Sequence, residues 1–276
     1  MQRILIIGED PDVNSVAESS KLQAFPVEIA AGDADALQRL RHRSFDVVLT
    51  NPQSSIREDL ALINEMELIR PGLKTIVVAP EATPEDVIAS LRARVFACFS
   101  CPISVTEVAA MTAKALEADS WRDGIEVLGA EPHWMALRLN CQLLTADRLI
   151  RFMTEFRSDL TDPDRSSLLT AFREILLNAM EHGAGFDPEK VIEVTAVRTK
   201  RAIVYHFRDP GPGFRLSEVQ HAAINNPPEN PLSHMGVREA QGLRPGGFGI
   251  MLAQQLVDEL AFNEPGNEVL LIKHTR

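Results

Sequence analysis

Cysteine is scarce, at three in 276 residues. Three thiols cannot build an even disulfide framework, which excludes a cross-linked secreted scaffold and suits a reducing cytoplasm. Cys98 and Cys101 form a CxxC. No second ligand pair follows, so zinc binding is disfavoured and both thiols are read as buried structural residues. Basic charge is short as well: 28 Lys and Arg stand against 39 Asp and Glu, a net charge of −11. The deficit is shared, with 11 basic and 18 acidic residues up to position 120 and 17 against 21 beyond it. So acidic a surface repels phosphate backbones and disfavours direct nucleic-acid binding. Long hydrophobic runs are also missing. None approaches a membrane span, and the opening MQRILIIGED is too short for a signal h-region and meets acids at once. The expectation is a cytoplasmic protein without a membrane partner.

Hydrophobic residues make up 45% of the chain, ample for ordinary cores, and the length exceeds that of a usual single domain. The polar stretch EADSWRDG, Glu117–Gly124, breaks the pattern. It places a first domain at 1–118, a linker at 119–124 and a second domain at 125–276. In the first domain short apolar runs at Ile4–Ile7, Phe45–Thr50, Thr75–Val78 and Val95–Phe99 have the character of buried parallel strands. Helical segments lie between and after them at Asp33–Arg41, Pro84–Ala93 and Val105–Leu116. Ser104 with Glu107 forms a capping-box pattern ahead of the last. Alternation of this kind predicts a doubly wound, flavodoxin-like α/β domain with functional loops at the C-terminal strand ends.

The residues at those ends resemble a response-regulator receiver domain. Glu9 and Asp10 follow strand one, where receivers keep magnesium-holding acids. Asn51, in TNP, stands where the family needs its phosphate-accepting Asp, and an amide cannot form an acyl phosphate. Ala79 replaces a Thr or Ser, and Cys101, before Pro102, replaces a Lys. The resemblance implies a pseudo-receiver that docks a partner or mediates self-association, with a homodimer as one outcome. Glu9 and Asp10 are read as two acids at a solvated sheet edge, because a divalent-ion site there lacks its third carboxylate.

The second domain is organised around a helix at Leu169–His182. Pro163 after Asp162 marks its start, Gly183 its stop, and Phe172, Ile175, Leu176, Ala179 and Met180 supply an apolar stripe. Glu174 and Asn178, four residues apart, share one face. Downstream, Asp209-Pro-Gly-Pro-Gly213 follows the strand-like AIVYHFR, and Gly246-Gly-Phe-Gly249 opens the helical run IMLAQQLVDEL. Ile125–Leu128 and Trp134–Leu139 read as strands and Leu144–Phe156 as a helix. Two hairpins close the domain, Val191–Arg198 with Arg201–Arg208 and Leu260–Asn263 with Asn267–His274.

Helix-borne Glu and Asn, then DxGxG after a strand, then glycines opening a helix: this ordered set resembles the ATP-binding (GHKL-type) domain shared by gyrases, ninety-kilodalton heat-shock chaperones, histidine kinases and mismatch-repair ATPases. EILLNAMEHG, DPGPGF and GGFGIMLAQQLVDEL are most similar to the serine kinases that act as bacterial anti-sigma factors. The resemblance implies an α+β layered domain with a mixed sheet and helices on one face. It implies that Asp209 accepts from the adenine amino group, that Asn178 holds magnesium, that Glu174 is the general base, and that His182 lies near the phosphates. Gly211 and Gly213 let backbone approach the base and ribose. Gly246, Gly247 and Gly249 leave free amides at a helix start for the triphosphate. The long stretch between Gly213 and Gly246 reads as an ATP lid with a short helix at Ser217–Ile224, and Arg238 and Arg244 are candidates to reach the phosphates. His133, in EPHWM, is a loop residue and lacks the helical hairpin in which histidine kinases carry their phosphorylated His. Implied cofactors are ATP and magnesium, and the implied partner is a regulatory protein, an anti-sigma-antagonist or sigma factor. The resemblance implies an ATP-binding bacterial signalling protein, a serine/threonine kinase that phosphorylates a small anti-sigma-antagonist; the alternatives are a nucleotide-gated binding module without transfer and a slow ATPase.

Overall fold

The computed structural model describes residues 2–118, 124–156, 160–213 and 248–275. Two compact units emerge, Met1–Asp123 with Arg151–Arg157, and Gly124–Ile150 with Ser158–Arg276.

The first unit is a five-stranded parallel sheet in the order β2-β1-β3-β4-β5, the flavodoxin-like doubly wound arrangement. Its strands are β1 (Ile4–Ile7), β2 (Val27–Ala30), β3 (Val47–Leu49), β4 (Lys74–Ala79) and β5 (Ala97–Ser100), and its helices are α1 (Pro11–Ala17), α2 (Asp33–His42), α3 (Ile56–Ile69), α4 (Pro84–Arg92) and α5 (Val105–Glu117). Every residue of β1, β3 and β4 is buried, as expected of strands covered on both faces. Leu5, Ile7 and Val48 of the sheet meet Ala36, Leu40, Leu62 and Met66 of α2 and α3 in one core. Capping boxes start α3, with Ser55 and Glu58, and α4, with Thr83 and Asp86. At α5 the Ser104 hydroxyl accepts the Glu107 N–H at 3.4 Å, while the Glu107 carboxylate pairs with Arg151 at 3.1 Å. Arg151 also sits over the Phe99 ring, 4.5 Å from its centroid, and pairs with Glu155, which accepts from the Ser100 hydroxyl.

The second unit carries a six-stranded sheet in the order β10-β11-β9-β8-β7-β6. Its elements are β6 (Ile125–Glu131), β7 (Trp134–Asn140), α6 (Leu143–Glu155), whose last turn groups with the first unit, α7 (Asp162–Asn178), β8 (Val191–Arg198), β9 (Ala202–Arg208), α8 (Gly249–Leu256), β10 (Glu259–Phe262) and β11 (Glu268–His274). Among the described residues every pairing in this sheet is antiparallel. This corrects the expected mixed sheet. Three of its five pairings are hairpins, whose short turns join only antiparallel neighbours, and β7–β8 and β9–β11 are antiparallel across longer connections that contain helices. His133 lies in the β6–β7 turn, where its carbonyl accepts the Arg198 N–H at 2.8 Å. Among the described residues no helix is long and apolar enough to cross a membrane.

Candidate functional site

Helix α7 starts earlier than its apolar period suggests. Thr161, not Asp162, is the N-cap, and its hydroxyl accepts the Asp164 N–H at 3.3 Å. Asp162 and Asp164 in the first turn favour the positive end of the helix dipole. The five stripe residues Phe172, Ile175, Leu176, Ala179 and Met180 are all buried. Phe172 meets Tyr205 edge-on at 4.8 Å and Phe207 at 5.0 Å between ring centroids, which fixes α7 over β9.

The far end of this helix is not an α-helix. Ala179–Gly183 forms a π turn, closed beyond by the Ala184 N–H on the Ala179 carbonyl at 3.1 Å and the Phe186 N–H on the Met180 carbonyl at 2.8 Å. A π turn bonds residues five apart rather than four and so holds nearly one more residue per turn than an α-helix. Gly183, five residues after Asn178, therefore takes the place on the site face that straight α-helix spacing assigns to His182. A Cβ on Gly183 would overlap the Asp209 carboxylate and stand 2.6 Å from the Asp209 Cβ. His182 itself is exposed.

The structure brings the sequence-expected residues together in two groups along α7. In one, Glu174 and Asn178 face the start of α8. A Cβ on Gly249 would stand 2.9 Å from Glu174 Oε2 and 3.2 Å from Asn178 Nδ2. Arg173 Nη1 lies 3.4 Å from Glu174 Oε1. In the other, Asp209, just past β9, packs on Gly183, and the Gly211 N–H donates to Asp209 Oδ1 at 2.8 Å. A Cβ on Gly211 would come within 2.7 Å of the Gly183 carbonyl oxygen. Burial pushes the Asp209 carboxyl above the ordinary carboxylate range, against the opposing pull of the Gly211 N–H. Gly213 adopts φ +77°, and a Cβ there would collide with the Pro265 carbonyl, 2.7 Å from its carbon. Gly246 and Gly247, with the expected lid, its Ser217–Ile224 helix, Arg238 and Arg244, lie outside the described residues.

At the C-terminal edge of the parallel sheet, Asn51 lies against Gly8, where a Cβ would be 3.0 Å from the Asn51 amide. Asn51 Oδ1 accepts the Gln53 N–H at 3.0 Å. Asp10 caps α1, accepting the N–H groups of Asp12 at 2.9 Å and Val13 at 3.3 Å. Ala79 is fully buried, and the Cys101 N–H donates to its carbonyl at 2.9 Å. Burial raises the Cys101 thiol, and the charges of Asp10 and Asp12 raise it further. The Cys98 thiol is pushed by burial to about 12. Among the described residues no three His, Cys, Asp or Glu side chains cluster to hold a metal ion.

Residues 141–273, just under half the chain, match the family described as the histidine kinase-like ATPase domain. That match implies ATP binding by the second unit. Over the first unit the chain is similar to a CheY-like response-regulator receiver domain protein from Methanospirillum hungatei JF-1, at 25% identity over 42% of this chain and 94% of that one, TM-score 0.38. It is also similar to the signal receiver domain of an HD domain-containing protein from Pseudomonas fluorescens Pf-5, at 16% identity over 42% and 94%, TM-score 0.37. A third similarity is to the receiver domain of the Francisella response regulator 1452, at 12% identity over 44% and 100%, TM-score 0.39. No curated protein matches the sequence.

The residues present fit an adenine nucleotide. Gly183 and Gly211 let backbone pack directly on the Asp209 carboxylate, and Gly249 lets the start of α8 close on Glu174 and Asn178, so the donor groups of both ends are brought together. Asp209 supplies an acceptor for a base amino group, and Asn178 an amide oxygen of the hard type a magnesium ion takes.

Proposed function

We propose that this chain is an ATP-dependent serine/threonine protein kinase of the anti-sigma-factor type, acting in bacterial signalling on a hydroxyl of a small anti-sigma-antagonist protein. One observation carries the reading: Glu174 and Asn178 share the α7 face on which Gly249 closes, with a Gly249 Cβ position 2.9 Å from the Glu174 carboxylate. A module that only binds nucleotide has no use for a carboxylate there.

Each residue has a defined task. Asp209 accepts from the exocyclic amino group of adenine, while Gly211 and Gly213 let backbone approach the base and ribose. Amides at the start of α8, with Gly246, Gly247 and Gly249, bind phosphate oxygens, while His182, exposed where Gly183 takes its expected place, has no part in the transfer. Asn178 would hold a magnesium ion, which would supply charge neutralisation for the triphosphate. Transfer is then chiefly positioning and charge stabilisation. Glu174 takes the proton of the attacking hydroxyl as its oxygen bonds to the γ-phosphorus. The bond from that phosphorus to the β–γ bridging oxygen breaks, and ADP leaves with the electron pair.

In this reading the first unit is a receiver without phosphate-accepting chemistry. Asn51 carries an amide where an aspartate would be needed, and Ala79 and Cys101 lack the hydroxyl and amine that would assist. Its role is to dock the partner or a second copy of the chain. The test is Glu174→Ala assayed with labelled ATP and the partner. Transfer is expected to fall by ~10²–10⁴-fold, the usual contribution of a general base, with ADP affinity preserved. Unchanged transfer removes Glu174 as the base. Nucleotide binding by the wild-type protein without any labelled protein favours a gated binding module, and phosphate release alone favours an ATPase.

A further inference from the structure

Asp209 sits one residue beyond β9, where a loop would ordinarily be free to move. Its backbone is held by the turn of the neighbouring hairpin. The Asp209 N–H donates to the Asn267 carbonyl at 3.0 Å, and Asn267 Nδ2 faces the Asp209 carbonyl at 3.5 Å. The turn, Asn263 to Asn267, is in turn organised by one side chain. Asn263 Oδ1 accepts three N–H groups, from Gly266 at 2.8 Å and from Asn267 and Glu268 at 3.0 Å each. Asn263 Nδ2 donates to Asn267 Oδ1 at 2.9 Å, which turns the Asn267 amide nitrogen toward Asp209. The same turn meets the other end of the glycine loop, because the Pro265 carbonyl occupies the space a side chain on Gly213 would need. The segment from Asp209 to Gly213 is thus strapped to the turn at both ends.

We infer that Asn263 is a positioning residue for base recognition: through the NEPGN turn it holds the Asp209 carboxylate where it reads the amino group of adenine, and so sets purine selectivity. The inference rests on the assignment of Asp209 as the base acceptor. The hairpin itself is paired from Glu259↔Ile272 to Phe262↔Val269 without the Asn263 side chain, so removing that side chain loosens the turn and Asp209 rather than the sheet.

The experiment compares ADP with inosine diphosphate, which carries a carbonyl in place of the amino group, by isothermal titration on the full chain. Wild type is expected to prefer ADP. Asn263→Ala is expected to weaken ADP by about tenfold, or about 1.4 kcal/mol, while inosine diphosphate is held as well as before, so the preference collapses. Asn263→Asp keeps the acceptor for the three amides but loses the donor to Asn267 Oδ1, and is expected to lose part of the preference, less than Asn263→Ala. Equal losses for both nucleotides, or an unchanged preference in Asn263→Ala, overturn the inference. Should that variant fail to fold by circular dichroism, Asn267→Ala leaves the three amide bonds in place and cuts only the side-chain link. An intact preference there also overturns it. A wild-type protein that binds ADP without preferring it removes the Asp209 assignment, and the inference with it.

Discussion

Asp59 gives the first unit a charge that folding disfavours. It lies on α3 at 2% exposure, with the Thr50 hydroxyl donating to one carboxylate oxygen and the Ser54 hydroxyl near the other, each at 2.6 Å. Burial raises its carboxyl to about 6; the two hydroxyls pull down, and the charges of Asp33 and Glu58 push up. An acid whose folded pKa is raised contributes stability that is complete below its unfolded pKa, near 3.8, and is lost as pH rises through about 6. A gap of about two units at ~1.36 kcal/mol each sets the loss at on the order of 3 kcal/mol by pH 7.5. Asp59→Asn removes the charge at nearly constant volume. The pocket accommodates an amide donor, because Ser54 Oγ also lies 2.6 Å from the Asn51 carbonyl and can turn its own proton there. The variant is expected to be more stable by about 2–3 kcal/mol at pH 7.5, with the gain shrinking below about 1 kcal/mol at pH 4.5. Hydrogen exchange of the β4 and β5 amides in the full chain, at both pH values, reads the difference. No gain at pH 7.5, or a gain that does not change with pH, would refute the argument.

Two glycine substitutions separate the ends of the candidate site. Gly183→Ala puts a methyl group into the Asp209 carboxylate and its Cβ, which are held by backbone, so ADP affinity measured by titration is expected to fall more than tenfold, about 1.4 kcal/mol or more. Gly249→Ala meets mainly the flexible end of Glu174. There the loss is expected in phosphate transfer to the partner, by about tenfold, with ADP affinity changed less than threefold, under about 0.7 kcal/mol.

What could be read from residue order, and what could not, divides along a physical line. The α7 stripe was legible because a helix packed on a sheet buries residues three and four apart, and all five stripe residues are buried. Strands β1, β3 and β4 were legible as apolar runs because both their faces are covered. Strand β2 gave no such signal. It is an edge strand with Glu28 drawn to Arg3, Arg39 and Arg43 and with Ile29 41% exposed, so no apolar run marks it. The π turn was illegible because Ala179 and Met180 suit an α-helix and a π turn equally. Gly183 reads as a stop in either case.

The role of Asn263 shows why local reading ends where it does. NEPGN announces a hairpin turn by composition alone, and nothing near it mentions Asp209, which lies 58 residues before Asn267. The link exists because β9 and β11 are neighbours, with Arg208 opposite Glu268, so the residue after one strand meets the residue before the other. The same reasoning accounts for the rest of the site. Phe172 on Tyr205 and Phe207 sets α7 over β9, and the π turn then delivers Gly183 to Asp209 while Glu174 and Asn178, on the straight part of the helix, meet Gly249. Convergence at this site therefore depends on two aromatic contacts of Phe172 and one irregular turn, none of which touches the reacting atoms in the proposed transfer.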